Sequence, residues 1–143
     1  MIAEKIAGDV VKRVCFPNLL EDCSMYSYCM QDLVIGALKR YNVLQTLFRK
    51  LSLTPNMDNV SETFNHIMDD MFQEELNWGR VVTIYMFGVA IARDIQEFCT
   101  YGDVMHFTNQ TFIPTMRQRV SPWIHNQGGW DAFLQHFSHQ HHG

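Results

Sequence analysis

A chain of 143 residues fits one domain that buries roughly two thirds of its unfolded surface, and 47% apolar against 18% charged residues excludes an intrinsically disordered polymer. Lys plus Arg number 11 and Asp plus Glu 15, a net charge of -4 without the basic excess that neutralising phosphates requires, so nucleic acid is not an expected partner. Cys15, Cys23, Cys29 and Cys99 form no C-x-x-C pair and no apolar leader precedes Glu4, Lys5 and Asp9, which predicts reduced, mostly buried thiols in an intracellular protein.

Ile2, Ile6, Val10 and Val14 recur every four residues with charges between them, predicting an amphipathic helix over 2–15 that Pro17 and Asn18 end. From about Met30, the stripe Leu33, Ala37, Tyr41, Leu44, Leu47 and Leu51 predicts a second helix closed by Thr54-Pro55-Asn56. A third periodic segment runs from Ser61 through Phe64, Ile67, Met68, Met71, Phe72 and Leu76, and its other face carries Asp69, Asp70, Glu74 and Glu75. Residues 81–92 are apolar around the whole helical circumference, so a helix over about 77–98 should sit at the centre of the others. That run is too short for the roughly 20 apolar residues of a membrane-crossing helix.

Gly102 and Asp103 open a further segment through Val104, Phe107, Thr111 and Phe112, which Pro114 should kink or stop near Ile113. Ser121-Pro122 reads as a helix start with Ser as the cap, and Gly128-Gly129 as its stop. A last helix covers Trp130 to Phe137, followed by a disordered His-rich tail over 138–143. No strand-like alternation appears, so the expected fold is all-α, a single domain over 1–137 built around the hydrophobic helix. His136, His139, His141 and His142 crowd the terminus without carboxylate or thiolate at ligand spacing, and His66, His106 and His125 match no catalytic motif. No metal, cofactor or enzymatic activity is expected.

Chemistry concentrates at Asn77-Trp78-Gly79-Arg80, where Asn77 is a natural N-cap for the central helix. A cation in the first helical turn faces the positive end of the dipole, at a cost of up to about 1 kcal/mol, so an anion should compensate Arg80. That anion is either internal, from Asp69, Asp70, Glu74 or Glu75, or belongs to a partner. Gly79 costs about 1 kcal/mol against Ala within a helix, and close approach of another backbone is its best explanation. Arg80, Thr83 and Phe87 fall on one helical stripe, which sets the charge beside apolar surface.

Asn77-Trp78-Gly79-Arg80-Val81-Val82 with Phe87-Gly88 resembles the first Bcl-2 homology motif, and Pro122-Trp123-Ile124 with Gly128-Gly129-Trp130 resembles the second. The resemblance extends from about Leu38 through Phe137, includes Thr54-Pro55, and weakens toward the N-terminus. It implies a helical bundle with a surface groove that receives the amphipathic BH3 helix of pro-apoptotic relatives. In that family the arginine matching Arg80 pairs with an aspartate of the ligand helix, and the residues matching Asn77 and Gly79 line the docking edge. By the same resemblance Ile67, Met71, Thr83, Phe87 and Phe137 line the groove, Asp70 stands at its rim, and Leu44, Leu47, Phe48 and Leu51 form the second-helix wall. Trp78, Trp123, Gly128, Gly129 and Trp130 read as structural.

Departures from the family pattern also inform. Where the family's own BH3 segment carries Gly-Asp, this chain has Asn42-Val43, the mark of a poor killer ligand. The link after Val14 is short and no hydrophobic tail follows Phe137, a compactness that resembles virus-encoded survival members. The resemblance therefore implies a prosurvival protein that restrains host-cell apoptosis, cytosolic or peripherally attached to mitochondria. Alternatives are a pro-apoptotic pore-forming member, a homodimer closed over the groove, and, on composition alone, a globin-like haem protein.

Overall fold

The computed structural model describes residues 2–16, 24–40, 57–98 and 100–141. Among them are six helices and no strand: α1 (Ile2–Cys15), α2 (Met25–Arg40), α3 (Met57–Met71), α4 (Trp78–Phe98), a composite α5 and α6 (Trp130–His141). The composite α5 joins the α-helical segments Tyr101–Phe107, Ile113–Thr115 and Ser121–Asn126 through π turns at Thr108–Phe112 and Met116–Val120.

α4 lies at the centre, as a helix without a polar face requires. It packs against α1, α2, α3 and α5, and the Tyr85 ring meets Trp130 of α6 at 6.1 Å. Val81, Ile84, Tyr85, Val89 and Ala92 have no exposed surface. The Tyr85 hydroxyl, wholly enclosed, donates to the Ala3 carbonyl at 2.9 Å and so ties α1 to the centre. Without that acceptor a buried hydroxyl would cost about 1–3 kcal/mol. α1 presents Ala3, Ile6, Ala7, Val10 and Val11 as one buried face; Ile6 and Val10 belong to the expected four-residue stripe, whereas Ile2 is exposed and Val14 half-buried.

Several boundaries differ from the sequence expectation, and α3 spans Met57–Met71 where the periodic segment was expected over Ser61 to Leu76. α2 starts at Met25 rather than near Met30, because the Ser24 hydroxyl accepts the Ser27 amide at 3.3 Å and caps the first turn. The expected continuation of this helix through Tyr41 to Leu51, and the Thr54-Pro55 turn, lie outside the described residues. Pro114 does not stop α5: the π turn before it sends the Ile113 amide five residues back to the Thr108 carbonyl, and the widened turn accommodates a residue that lacks a donor. Ser121 is not a cap, since no side-chain capping bond forms there and helix continues from the preceding π turn through Pro122. α6 carries on to His141, past Phe137 where the apolar pattern stops.

Three glycines are required by geometry. Gly128 and Gly129 adopt φ of 102° and 84°, the left-handed region, and the Gly129 amide donates to the Ile124 carbonyl at 2.9 Å to close α5. Gly88 on α4 lies under the Phe112 ring, where an added Cβ would fall 2.4 Å from the nearest ring carbon. Phe112 in turn packs edge-on against Phe64 and Tyr85, at 5.8 Å in each case.

Cys15 is buried and Cys29 half-buried, and both are free thiols. Burial pushes the Cys15 thiol from 9.0 up to about 12, against a weaker opposing pull from Arg93. A thiol so shifted is poorly nucleophilic at neutral pH.

Two outcomes follow. Gly88→Ala should lose about 1–3 kcal/mol by overpacking against Phe112, read by urea denaturation. Part of that loss should return in a Gly88→Ala/Phe112→Leu double variant, relative to Phe112→Leu alone. For Cys15, the raised pKa means that the native state keeps a proton which the unfolded chain releases. Its contribution is therefore complete below pH 9.0 and lost as pH rises toward about 12. Wild type should consequently lose more stability than Cys15→Ala across that window, as measured by denaturation midpoints at each pH.

Candidate functional site

The first turn of α4 forms as its residues dictate. The Asn77 side chain accepts the Arg80 amide at 2.8 Å and caps the helix. The Arg80 guanidinium turns back toward α3, where Nη1 donates to the Met71 carbonyl at 3.0 Å and Nη2 donates to Glu74 Oε2 at 2.7 Å. Met71 ends α3, so its carbonyl is one of the orphan acceptors at the negative end of that helix dipole. A cation misplaced for α4 is thus well placed for α3.

Of the four acidic candidates, Glu74 is the one that pairs with Arg80. Asp69 is held instead by Arg119 at 3.0 Å, and the Arg119 guanidinium also lies 4.1 Å over the Phe72 ring. Asp70 is exposed at the C-terminal end of α3. The cation is therefore satisfied within the chain, but its carboxylate partner is 76% exposed while the Arg80 side chain is 24% exposed. Exposed pairs contribute about 0–1 kcal/mol, little enough for a competing anion to replace.

Burial along α4 isolates one stripe. Between Val81 and Ala92 every residue is buried except Thr83 and Phe87, which are half-buried and share the helical face of Arg80. The Thr83 hydroxyl donates to the Gly79 carbonyl at 3.0 Å, which leaves its methyl group free to pack. Ile67 and Met71 of α3, which packs on α4, are also half-buried. Gly79 is exposed, and an added Cβ would meet only the Asn77 Oδ1, at 3.4 Å. Nothing inside the described residues requires a glycine there.

Phe137 sits differently from these residues. It is 6% exposed and packs edge-on against Phe133 at 5.2 Å, so it is a core residue in this structure. Leu44, Leu47, Phe48 and Leu51 lie outside the described residues.

Aromatic packing joins the two sequence motifs. Trp78 meets Trp123 edge-on, centroids 4.9 Å apart, and also contacts Phe133 at 5.7 Å. Trp130, 6% exposed, packs against Phe133 at 5.1 Å. The Tyr26 hydroxyl donates to Asp131 at 2.6 Å and brings α2 to the start of α6. The tryptophans thereby fix the start of α4 against α5 and α6, which holds Arg80 in place. Sequence reasoning missed the Met71 carbonyl, because a backbone acceptor leaves no mark in residue identity.

Comparison with known proteins agrees with this architecture. Residues 30–130 match the Bcl-2 family of apoptosis regulator proteins. Over 99 residues the chain is 26% identical to Bcl-2-like protein 1 of Sus scrofa, an alignment covering 68% of this chain and 41% of that protein. Over 82 residues it is 32% identical to the human apoptosis regulator BAX, covering 56% of this chain and 42% of that protein. The chain thus spans less than half the length of these curated relatives. The crystal structure of Trichoplax adhaerens trBcl-2L2 bound to trBak BH3 shares its fold, with a TM-score of 0.74 and 19% identity over 95% of this chain and 97% of that one. The globin-like alternative gives way to these matches. With the two Trp-bearing motifs packed together around a buried central helix, and the family match covering most of its length, the chain belongs to the Bcl-2 family of apoptosis regulators.

Proposed function

We propose that this protein is a prosurvival Bcl-2 regulator that binds and sequesters the BH3 helices of pro-apoptotic proteins. The observation that carries the proposal is the pairing of Arg80 with a single half-open stripe, Thr83 and Phe87, on a helix otherwise enclosed between Val81 and Ala92. An amphipathic ligand helix presents apolar residues at i, i+3 or i+4 and i+7, and such a stripe next to a cation suits one that also carries an acidic side chain. The Trichoplax protein that shares this fold was crystallised bound to a BH3 segment. Ile67 and Met71 would add apolar contacts from α3, and exposed Gly79 would admit the ligand backbone at the edge.

The mechanism is occupancy rather than turnover: a BH3 helix held here is withheld from other partners. Asn42-Val43, in place of the Gly-Asp of a killer segment, supports the prosurvival sign. A short link between Cys15 and Met25 supports a virus-type member. The alternative reading is a pro-apoptotic, pore-forming member of the family, which also includes the apoptosis regulator BAX, 32% identical here. Release of liposome contents by the activated protein would favour it. Among the described residues no helix is long and apolar enough to cross a membrane.

Isothermal calorimetry against a panel of BH3 peptides tests the proposal, which expects saturable one-to-one binding. Arg80→Ala should weaken that binding roughly 30- to several-thousand-fold, the range for removing one partner of a partly buried charge pair. Unchanged affinity in a folded Arg80→Ala variant would exclude Arg80 as the anchor. At Gly79, Ala should preserve stability or raise it by up to about 1 kcal/mol, since the Cβ meets only the Asn77 Oδ1, at an ordinary contact distance of 3.4 Å. Gly79→Glu should remain folded yet lose peptide binding. If Gly79→Glu binds as wild type does, no ligand backbone approaches there.

A further inference from the structure

In the free protein Arg80 already holds a carboxylate, and the one it holds is detachable. Its two contacts differ in kind. The Met71 carbonyl, at 3.0 Å from Nη1, is a backbone atom fixed at the end of α3. Glu74, at 2.7 Å from Nη2, stands in the non-helical corner between Met71 and Trp78 with 76% of its side chain exposed. Glu75 in the same corner is also exposed and is not paired with Arg80. Glu74 can therefore swing into solvent while the Met71 contact keeps the guanidinium oriented, and no core contact opens.

Building on the Arg80 reading, we propose that Glu74 is a built-in competitor for the acidic side chain of the incoming helix, and that a ligand gains the Nη2 edge of Arg80 only by displacing it. Two carboxylates crowded onto one guanidinium edge repel each other, so Glu74 and an incoming carboxylate compete for it. The affinity measured for an acidic helix is then its intrinsic affinity reduced by the fraction of protein in which Arg80 is released. A helix without the acidic side chain leaves Glu74 where it is and bears no such reduction. Glu74 thereby narrows the advantage of an acidic ligand over its neutral counterpart, which makes it a specificity-determining residue.

The competitor role and a purely structural role predict opposite signs. A staple of the α3–α4 corner, once removed, loosens the site and weakens binding. Loss of a competitor strengthens binding, and only for a ligand that carries the carboxylate.

The test is calorimetry with a synthetic BH3 peptide that binds wild type, and with the same peptide bearing Asn in place of its Asp. Each is titrated into wild type, Glu74→Gln, Glu75→Gln and the Arg80→Ala pair with and without Glu74→Gln, with folding checked by circular dichroism. Glu74→Gln should tighten the acidic peptide about two- to fivefold, the scale of an exposed ion pair. It should leave the Asn peptide unchanged and have no effect once Arg80 is Ala. Equal or weaker binding of the acidic peptide to Glu74→Gln overturns the proposal, as does an equal gain from Glu75→Gln, which would mark general charge repulsion. Peptides that bind wild type through Arg80 but gain nothing from Glu74→Gln defeat the competitor alone. If no BH3 peptide binds wild type at all, the functional reading falls with it.

Discussion

The helix Trp78–Phe98 offers water no polar face along its middle, and the rest of the molecule is arranged to cover it. α1, α2, α3 and α5 pack on it directly, and Trp130 reaches it from α6. Fully burying a large apolar side chain contributes about 1.5–3 kcal/mol, so each uncovered position on such a helix weakens the fold unless something else uses it. Thr83 and Phe87 are the two positions between Val81 and Ala92 left half-covered, and they continue the line of Arg80. The proposed binding stripe therefore lies where the enclosure stops.

Arg80 shows how one residue reconciles a local penalty with a tertiary gain. Placed in the first turn of α4 it opposes that helix's dipole, yet its reach brings it to the last carbonyl of α3, where a cation is favoured. The Trp78–Trp123 contact fixes the geometry by locking the start of α4 against α5. What remains adjustable is the outer edge of the guanidinium, which holds a solvent-exposed side chain rather than a buried one. A rigid positioning shell with one exchangeable contact is an arrangement suited to recognition by charge and apolar surface together.

Much of this was legible in the sequence because it rests on periodicity and caps. The four-residue spacing of Ile2, Ile6 and Val10 marked α1, the all-apolar run marked α4, and Asn77 marked its cap. The stripe Arg80–Thr83–Phe87 followed from helical geometry alone. Interactions with no signature in residue type were not legible. A backbone carbonyl satisfies Arg80, a π turn absorbs Pro114, and the ring of Phe112 requires Gly88. Ser121-Pro122 misled for a related reason, since a cap motif has no role where a preceding helical turn already supplies the backbone partners. Phe137 carries the apolar character of a groove residue, but neighbouring rings claim it for the core.

The most direct measurement is the crystal structure of this protein with a bound BH3 peptide. The account predicts the peptide helix lying along Thr83 and Phe87, its backbone against Gly79, and its acidic side chain on Arg80 Nη2 with Glu74 turned away. A peptide seated elsewhere on the bundle, with the Arg80–Glu74 pair intact, would contradict it.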